Sequence, residues 1–186
     1  MSVHLMRRLF TVEEYHKMAQ AGILTEDDRV ELIEGEILEM SPIGRRHAAH
    51  VKRLNKLFNQ RLGDRVLVGV QDPVILSDLC EPEPDLSLLQ PRPDFYEAGH
   101  PQPQDVFLLV EVADSTVETD QYVKVPTYAK SDIVEVWLVN IAQQCLEVYR
   151  QPSPDGYQDQ QKYQRGQTVS MQAFPDVTIT VNEVLG

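Results

Sequence analysis

Cysteine is scarce in this chain: Cys80 and Cys145 are the only two. Two thiols cannot build a disulfide scaffold, and neither sits at zinc-site or Cys-x-x-Cys spacing. A reduced, cytoplasmic protein is therefore expected. No apolar run approaches the roughly 20 residues that cross a bilayer, so no membrane partner is expected either. The opening stretch, Met-Ser-Val-His-Leu-Met-Arg-Arg-Leu-Phe, lacks the apolar region of a secretory signal. Positive charge is in short supply as well. Seventeen Lys and Arg against 29 Asp and Glu give a net charge of −12, which argues against a protein that coats nucleic acid nonspecifically. Internal repeats are missing, and nothing marks a second domain. What remains is a chain of ordinary globular composition, 42% apolar and 25% charged over 186 residues, large enough to bury one real core. The expected organisation is a single domain over residues 1–186, with a core at about 10–150 and a C-terminal β extension over 151–186.

The stretch that organises the rest is Val106 to Val110, an unbroken apolar run with the length of a central strand covered on both faces. Glu111 stands at its end. A carboxylate placed there is desolvated, and a buried charge is tolerated only when paired or bound to a metal. Upstream, Pro84 can open a strand but not occupy its interior, so Asp85 begins the apolar segment Leu86-Ser-Leu-Leu89. Antiparallel pairing that sets Asp85 opposite Glu111 brings Leu86 to Val110 and Leu89 to Phe107. Opposed side chains in such a ladder lie about 5 Å apart at Cβ. Two carboxylates at that spacing call for a divalent cation such as Mg²⁺ between them.

Local signals fill in the remainder. Thr11-Val-Glu-Glu14 is a capping box for a short helix, with Gly22 just past its end. Residues 29–40 alternate apolar and acidic positions around Glu34-Gly35 and read as a β-hairpin. Within it Glu31 could point the same way as the two carboxylates, although an acid in an alternating hairpin more often faces water. Ser41-Pro-Ile-Gly44 precedes a helix over roughly 45–62. There Val51, Leu54, Phe58 and Leu62 form one apolar stripe, which also carries His47 at its N-terminal end. His47 could contact a phosphate, a metal-bound water or an acid, or simply bond a backbone carbonyl. Residues 45–65 carry seven basic side chains against one acid. Of these Arg45, Arg46, Lys52, Arg53 and Lys56 could track a phosphate backbone, and a solvated, ion-paired face is the competing outcome.

Beyond Glu111, Thr116 is a possible N-cap for a helix that carries Asp120, Lys124 and Tyr128 on one face. Pro126 is expected to kink or break that helix. Residues 133–140 read as a strand and 145–150 as its hairpin partner. The Pro- and Gly-punctuated tail adds edge strands or an oligomer contact and carries no evident chemistry. Asp85, Glu111 and Lys124, with Glu31 and His47 beside them, suit phosphodiester hydrolysis. Carboxylates hold Mg²⁺, the ion activates a water, and an amine orients that water or stabilises the transition state.

The Pro84-Asp85 step followed by Glu111 at a strand end resembles the PD-(D/E)XK nuclease superfamily. Glu111-Val-Ala-Asp-Ser-Thr116, Asp120, Lys124, Tyr128-Ala129 and Ile133-Val-Glu-Val-Trp-Leu-Val139 are similar to its putative restriction endonuclease family. So are Val30-Glu-Leu-Ile-Glu-Gly-Glu36 and Ser41-Pro-Ile-Gly44 with His47. The resemblance implies an α/β, restriction-endonuclease-like core, a mixed β-sheet flanked by helices, with an N-terminal hairpin and extra C-terminal strands. It implies Mg²⁺ (Mn²⁺ as substitute) on Asp85 and Glu111, DNA as partner, and a homodimer. One departure stands out: the superfamily's Glu-x-Lys spacing puts a lysine where this chain has Ala113. In the similar family the amine comes from the following helix, which maps onto Lys124. Two functions follow, a metal-dependent endodeoxyribonuclease or a noncatalytic binding module on the same fold.

Overall fold

The apolar run that ends at Glu111 is the longest strand, β5 (Val106–Ala113). In the computed structural model, which describes residues 7–25, 27–114 and 117–186, it is the third of six strands in one mixed sheet. Its neighbours on one side are β4 (Leu86–Leu89) and then β3 (Leu67–Gly69). On the other side lie β6 (Glu135–Asn140), β7 (Cys145–Arg150) and β8 (Asp159–Gln164). Only β5 and β6 run parallel. A parallel pair needs a crossover, and the helical segment after Glu111 provides it.

Both faces of the sheet are covered, which is why β5 can be apolar without alternation. One face buries Leu108, Val110 and Val112 against helix α2 (Arg45–Leu62) through Val51, Leu54, Phe58 and Leu62. The hairpin β9–β10 (Thr168–Met171, Phe174–Thr180) and helix α5 (Val181–Leu185) join the same core. The tail is therefore more than an edge: Val169, Met171, Ile179 and Val184 complete the packing. The opposite face carries Leu109 and Ala113, packed with Val125, Tyr128 and Ala129 of the crossover. By strand alternation Glu111 points to this second face.

Helix α1 (Val12–Gln20) opens with the expected capping box, Thr11 and Glu14 reciprocally bonded, and Gly22 follows it at positive φ. Strands β1 (Val30–Ile33) and β2 (Glu36–Glu39) form the hairpin turning at Glu34-Gly35, both residues in the left-handed region. Among the described residues no helix is long and apolar enough to cross a membrane.

Three expectations are corrected. The ladder does bring Leu86 to Val110, but Leu89 meets Val106 rather than Phe107. A bulge between Leu88 and Leu89 inserts the extra residue, and such a bulge shifts register only beyond itself. The run Arg65-Val-Leu-Val-Gly-Val70 reads as a strand in sequence, but β3 starts at Leu67, because Arg65 still belongs to a 3₁₀ turn after α2. The helix carrying Lys124 is continuous through Pro126. It runs from α3 (Val117–Thr119) through a π-helical turn (Asp120–Lys124) into α4 (Val125–Lys130). Val125 N–H bonds the Asp120 carbonyl five residues back, and Pro126 falls in the first turn of α4. Pro126 itself cannot donate a backbone hydrogen bond, yet the helix continues past it to Lys130. The Thr116 N-cap lies outside the described residues.

Candidate functional site

Asp85 immediately precedes β4 and is 9% exposed. Its Oδ2 accepts the Val112 backbone N–H at 2.8 Å, across the ladder expected from sequence. The same oxygen lies 2.9 Å from His47 Nε2. Oδ1 accepts from Gln71 Nε2 at 3.2 Å, while the Gln71 N–H bonds the Asp85 carbonyl. Gln71 makes this two-point clamp from a left-handed backbone, φ 55°. A conformation unfavourable for a non-glycine residue persists only where surrounding contacts over-determine it. Nothing in the local sequence advertises Gln71, since its role exists only once Asp85 is folded against it.

Glu111 is 2% exposed and accepts from the buried Tyr128 hydroxyl at 2.5 Å. Lys124, 5% exposed, lies between two carboxylates: its Nζ is 3.2 Å from Glu111 Oε1 and 3.0 Å from Glu31 Oε2. It also donates to the Glu83 carbonyl at 3.2 Å. Glu31 in turn accepts the Glu83 backbone N–H. Glu31 is thus turned inward, not to water, because an ammonium from the crossover helix waits for it. The π turn matters here, since its wider winding sets the helix face on which Asp120 and Lys124 are both buried. Ala113, two residues beyond Glu111, lies in the apolar cluster with Tyr128 and Ala129. A lysine there would have to displace that packing, and the amine arrives from the helix instead.

Burial pushes the Glu111 carboxyl well above the usual carboxylate range; Lys124 opposes this, and Asp120 and Asp85 reinforce it. For Lys124 burial acts to lower proton affinity, but Glu111, Glu31 and Asp120 outweigh it and raise it above the lysine norm. The amine is therefore charged throughout the neutral range. Burial and the nearby Glu31 also raise the carboxyl of Glu83. His47 takes up its proton more readily than usual, chiefly because it hydrogen-bonds Asp85. Its Nδ1 is buried and finds no partner among the described residues.

These groups line one cavity of about 170 Å³. Seven carboxylates face it (Glu31, Glu39, Glu83, Asp85, Glu111, Asp114, Asp120) against Arg29, His47 and Lys124. That surplus of negative charge suits a cation. Among the described residues no three His, Cys, Asp or Glu side chains are grouped as a complete metal-ligand set. Two carboxylates, with water and a substrate phosphate filling the remaining positions, is the way Mg²⁺ is ordinarily held. Asp85 and Glu111 both line the cavity, as that role requires. Glu31, counted from sequence among the metal ligands, is engaged by Lys124.

The basic residues expected to meet nucleic acid divide. Arg45, Lys52 and Lys56 are exposed on α2. Arg46 pairs with Asp114 at 3.2 Å beside the cavity. Arg53 is half-buried and donates to the Leu185 carbonyl at 3.1 Å, so it ties α5 to α2. Arg61 and Arg65 likewise pair with Glu183 and Asp176.

The fold is shared with a crystal structure of a putative nuclease belonging to DUF820 from Anabaena variabilis. The TM-score is 0.71 at 17% identity, covering 95% of this chain and 97% of that one. No curated protein matches the sequence. The Uma2 family profile, described as "Putative restriction endonuclease", matches residues 12–182. That match takes in every element from α1 to the first residues of α5, the whole candidate site included, and the chain belongs to the Uma2 family.

Proposed function

We propose that this protein is a divalent-metal-dependent endonuclease that hydrolyses DNA phosphodiester bonds. The observation that carries the reading is the convergence of Asp85, Glu111 and Lys124, from two strands and the following helix, in one carboxylate-rich cavity. Membership of the Uma2 family supports it.

Asp85 and Glu111 are the residues that would hold Mg²⁺ or Mn²⁺, an ion that polarises a phosphoryl oxygen and acidifies a bound water. The chain's own groups have distinct tasks. Lys124, permanently charged, cannot take a proton from water; it orients the nucleophile and offsets charge that develops on the phosphate. Tyr128 fixes the Glu111 carboxylate by donating to Oε1. His47, Gln71 and the Val112 N–H hold Asp85 in one orientation, the outer support that keeps a ligand carboxylate in place. His47 positions Asp85 through their hydrogen bond at the rim of the cavity.

A second reading, a binding module without turnover, draws on Ala113 at the superfamily's lysine position and on the two ion pairs that already engage Lys124. One experiment separates the two. Supercoiled, linear and single-stranded DNA and RNA are incubated with protein and Mg²⁺ or Mn²⁺, with chelator as control. Cleavage by the wild type that falls to background in Asp85→Asn and Glu111→Gln, both still folded, supports the nuclease. Cleavage of none of these substrates by folded wild type gives way to the binding module. Light scattering on the same preparation tests the expected homodimer.

A further inference from the structure

Arg29 is a half-buried cation that lines the cavity and that no step described so far uses. Its position is unusually well fixed for an arginine. The Arg29 carbonyl accepts the Met40 N–H at 2.8 Å, which extends the β1–β2 hairpin past its last named pair. Its Nη1 donates to the Ser41 carbonyl at 2.8 Å. The guanidinium is thus held by a neutral oxygen. Among the described residues no carboxylate lies within ion-pair distance of it, although Glu31, Glu39 and Glu83 line the same cavity. Arg46 contrasts with it, being paired to Asp114.

A guanidinium has five N–H donors in a planar fork, and among the described residues one is used. An arginine that is oriented by a carbonyl, has no carboxylate partner among the described residues and faces a cavity is suited to receive an anion. The arginine reaches this cavity together with Ser41, Pro42, Ile43 and Gly44, the loop that leads into α2. Gly44 caps that 18-residue helix without a side-chain bond, so the first turn adds positive potential on the same side. Arg29 also acts at range on its neighbours, opposing the upward shifts of Glu83 and His47.

We infer that Arg29, oriented by the Ser41 carbonyl, forms a phosphate-binding subsite that grips the nucleic-acid backbone beside Asp85 and Glu111. It rests on the nuclease reading for the identity of the ligand, but not for the existence of an anion site. Lys124 is already engaged by Glu31 and Glu111, so the subsite adds a cation that is not shared with a carboxylate among the described residues. It binds substrate without touching the water or the metal ligands, so its loss raises KM and leaves kcat nearly unchanged.

The test uses full-length wild type, Arg29→Gln, Arg29→Lys and, as a charge-matched control, Lys17→Gln on exposed α1. Two probes are read: thermal stabilisation by inorganic phosphate, and binding of a fluorescein-labelled DNA duplex in Ca²⁺ across a salt series. Arg29→Gln is expected to lose the phosphate response, to bind DNA roughly tenfold more weakly, and to reduce the salt slope by about one. Arg29→Lys restores part of the affinity, because charge survives but the fork does not. Lys17→Gln retains the full phosphate response. Equal phosphate and DNA binding by Arg29→Gln and wild type overturns the subsite. Phosphate binding that depends on Arg29 without any DNA binding upholds the subsite and overturns the nuclease reading instead. A wild type that binds neither probe overturns both.

Discussion

Replacing Lys124 with methionine is the most searching perturbation of this site, because it removes the one ammonium between two buried acids. Lys124, Glu31 and Glu111 are 5%, 5% and 2% exposed, so water can screen little of what is lost. Removing one member of a buried ion pair typically costs about 3–5 kcal/mol, since the remaining charge is left uncompensated. Here two carboxylates are stranded, but Glu111 already binds its proton more tightly than a free glutamate. It can escape by protonating, at about 1.36 kcal/mol for each unit by which the ambient pH exceeds its pKa, and this keeps the loss within the same range. For a chain of this size 1 kcal/mol shifts Tm by about 2–4 °C, so the drop is about 6–20 °C near neutral pH. The pH dependence has a definite sign. An acid whose folded-state pKa is raised costs nothing below the free carboxylate range and costs progressively more as pH rises through it. The gap between variant and wild type therefore narrows between about pH 7.5 and about pH 5. Lys124 in the wild type adds no slope of its own there, because its raised affinity keeps it charged well past neutrality. Thermal unfolding by circular dichroism across this range is the assay, with exposed Lys17→Met as control. A Tm drop no larger than the control's, or a gap that widens toward acid, refutes the buried-pair account.

Other consequences are simpler to test. The bond to Asp85 is the main reason His47 binds its proton more tightly than a free histidine, so its contribution is complete below the ordinary histidine range and fades as pH rises through the raised value. His47→Gln should flatten Tm against pH in that window, and an unchanged profile would sink the idea. Far from the cavity, Arg150 pairs at 2.7 Å with Glu135, whose side chain is fully buried. Arg150→Met should cost about 3 kcal/mol, toward the lower end because Trp137 Nε1 and the Gln172 N–H still bond Glu135. Chemical denaturation measures it, and a loss below about 1 kcal/mol would mean the carboxylate relaxes to water.

How much of this was legible beforehand depended on the range of the interaction involved. Thr11 with Glu14, Glu34-Gly35, the stripe of α2 and the apolar run of β5 are signals whose cause lies within a few residues. Each appears where the sequence places it. Pairing of Leu86 with Val110 was also readable, because strand alternation and Pro84 leave few registers open, and the bulge acts only beyond Leu88. Pro126 misled, since a π turn absorbs it and the sequence carries no mark of i→i−5 bonding.

By itself, then, the sequence determined most strands and helices, the covered sheet and the β4–β5 register that sets Asp85 beside the end of β5. Only tertiary structure decided which way the long side chains turn. Glu31 faces inward because Lys124 reaches it from the crossover helix, and Arg53 serves α5 because the Leu185 carbonyl lies beside it. Gln71 and Arg29 acquire a role from backbone carbonyls and carboxylates distant in the chain. Secondary structure follows from neighbours a few residues away, whereas the orientation of a charged side chain is set by whichever partner removes it from water at least cost.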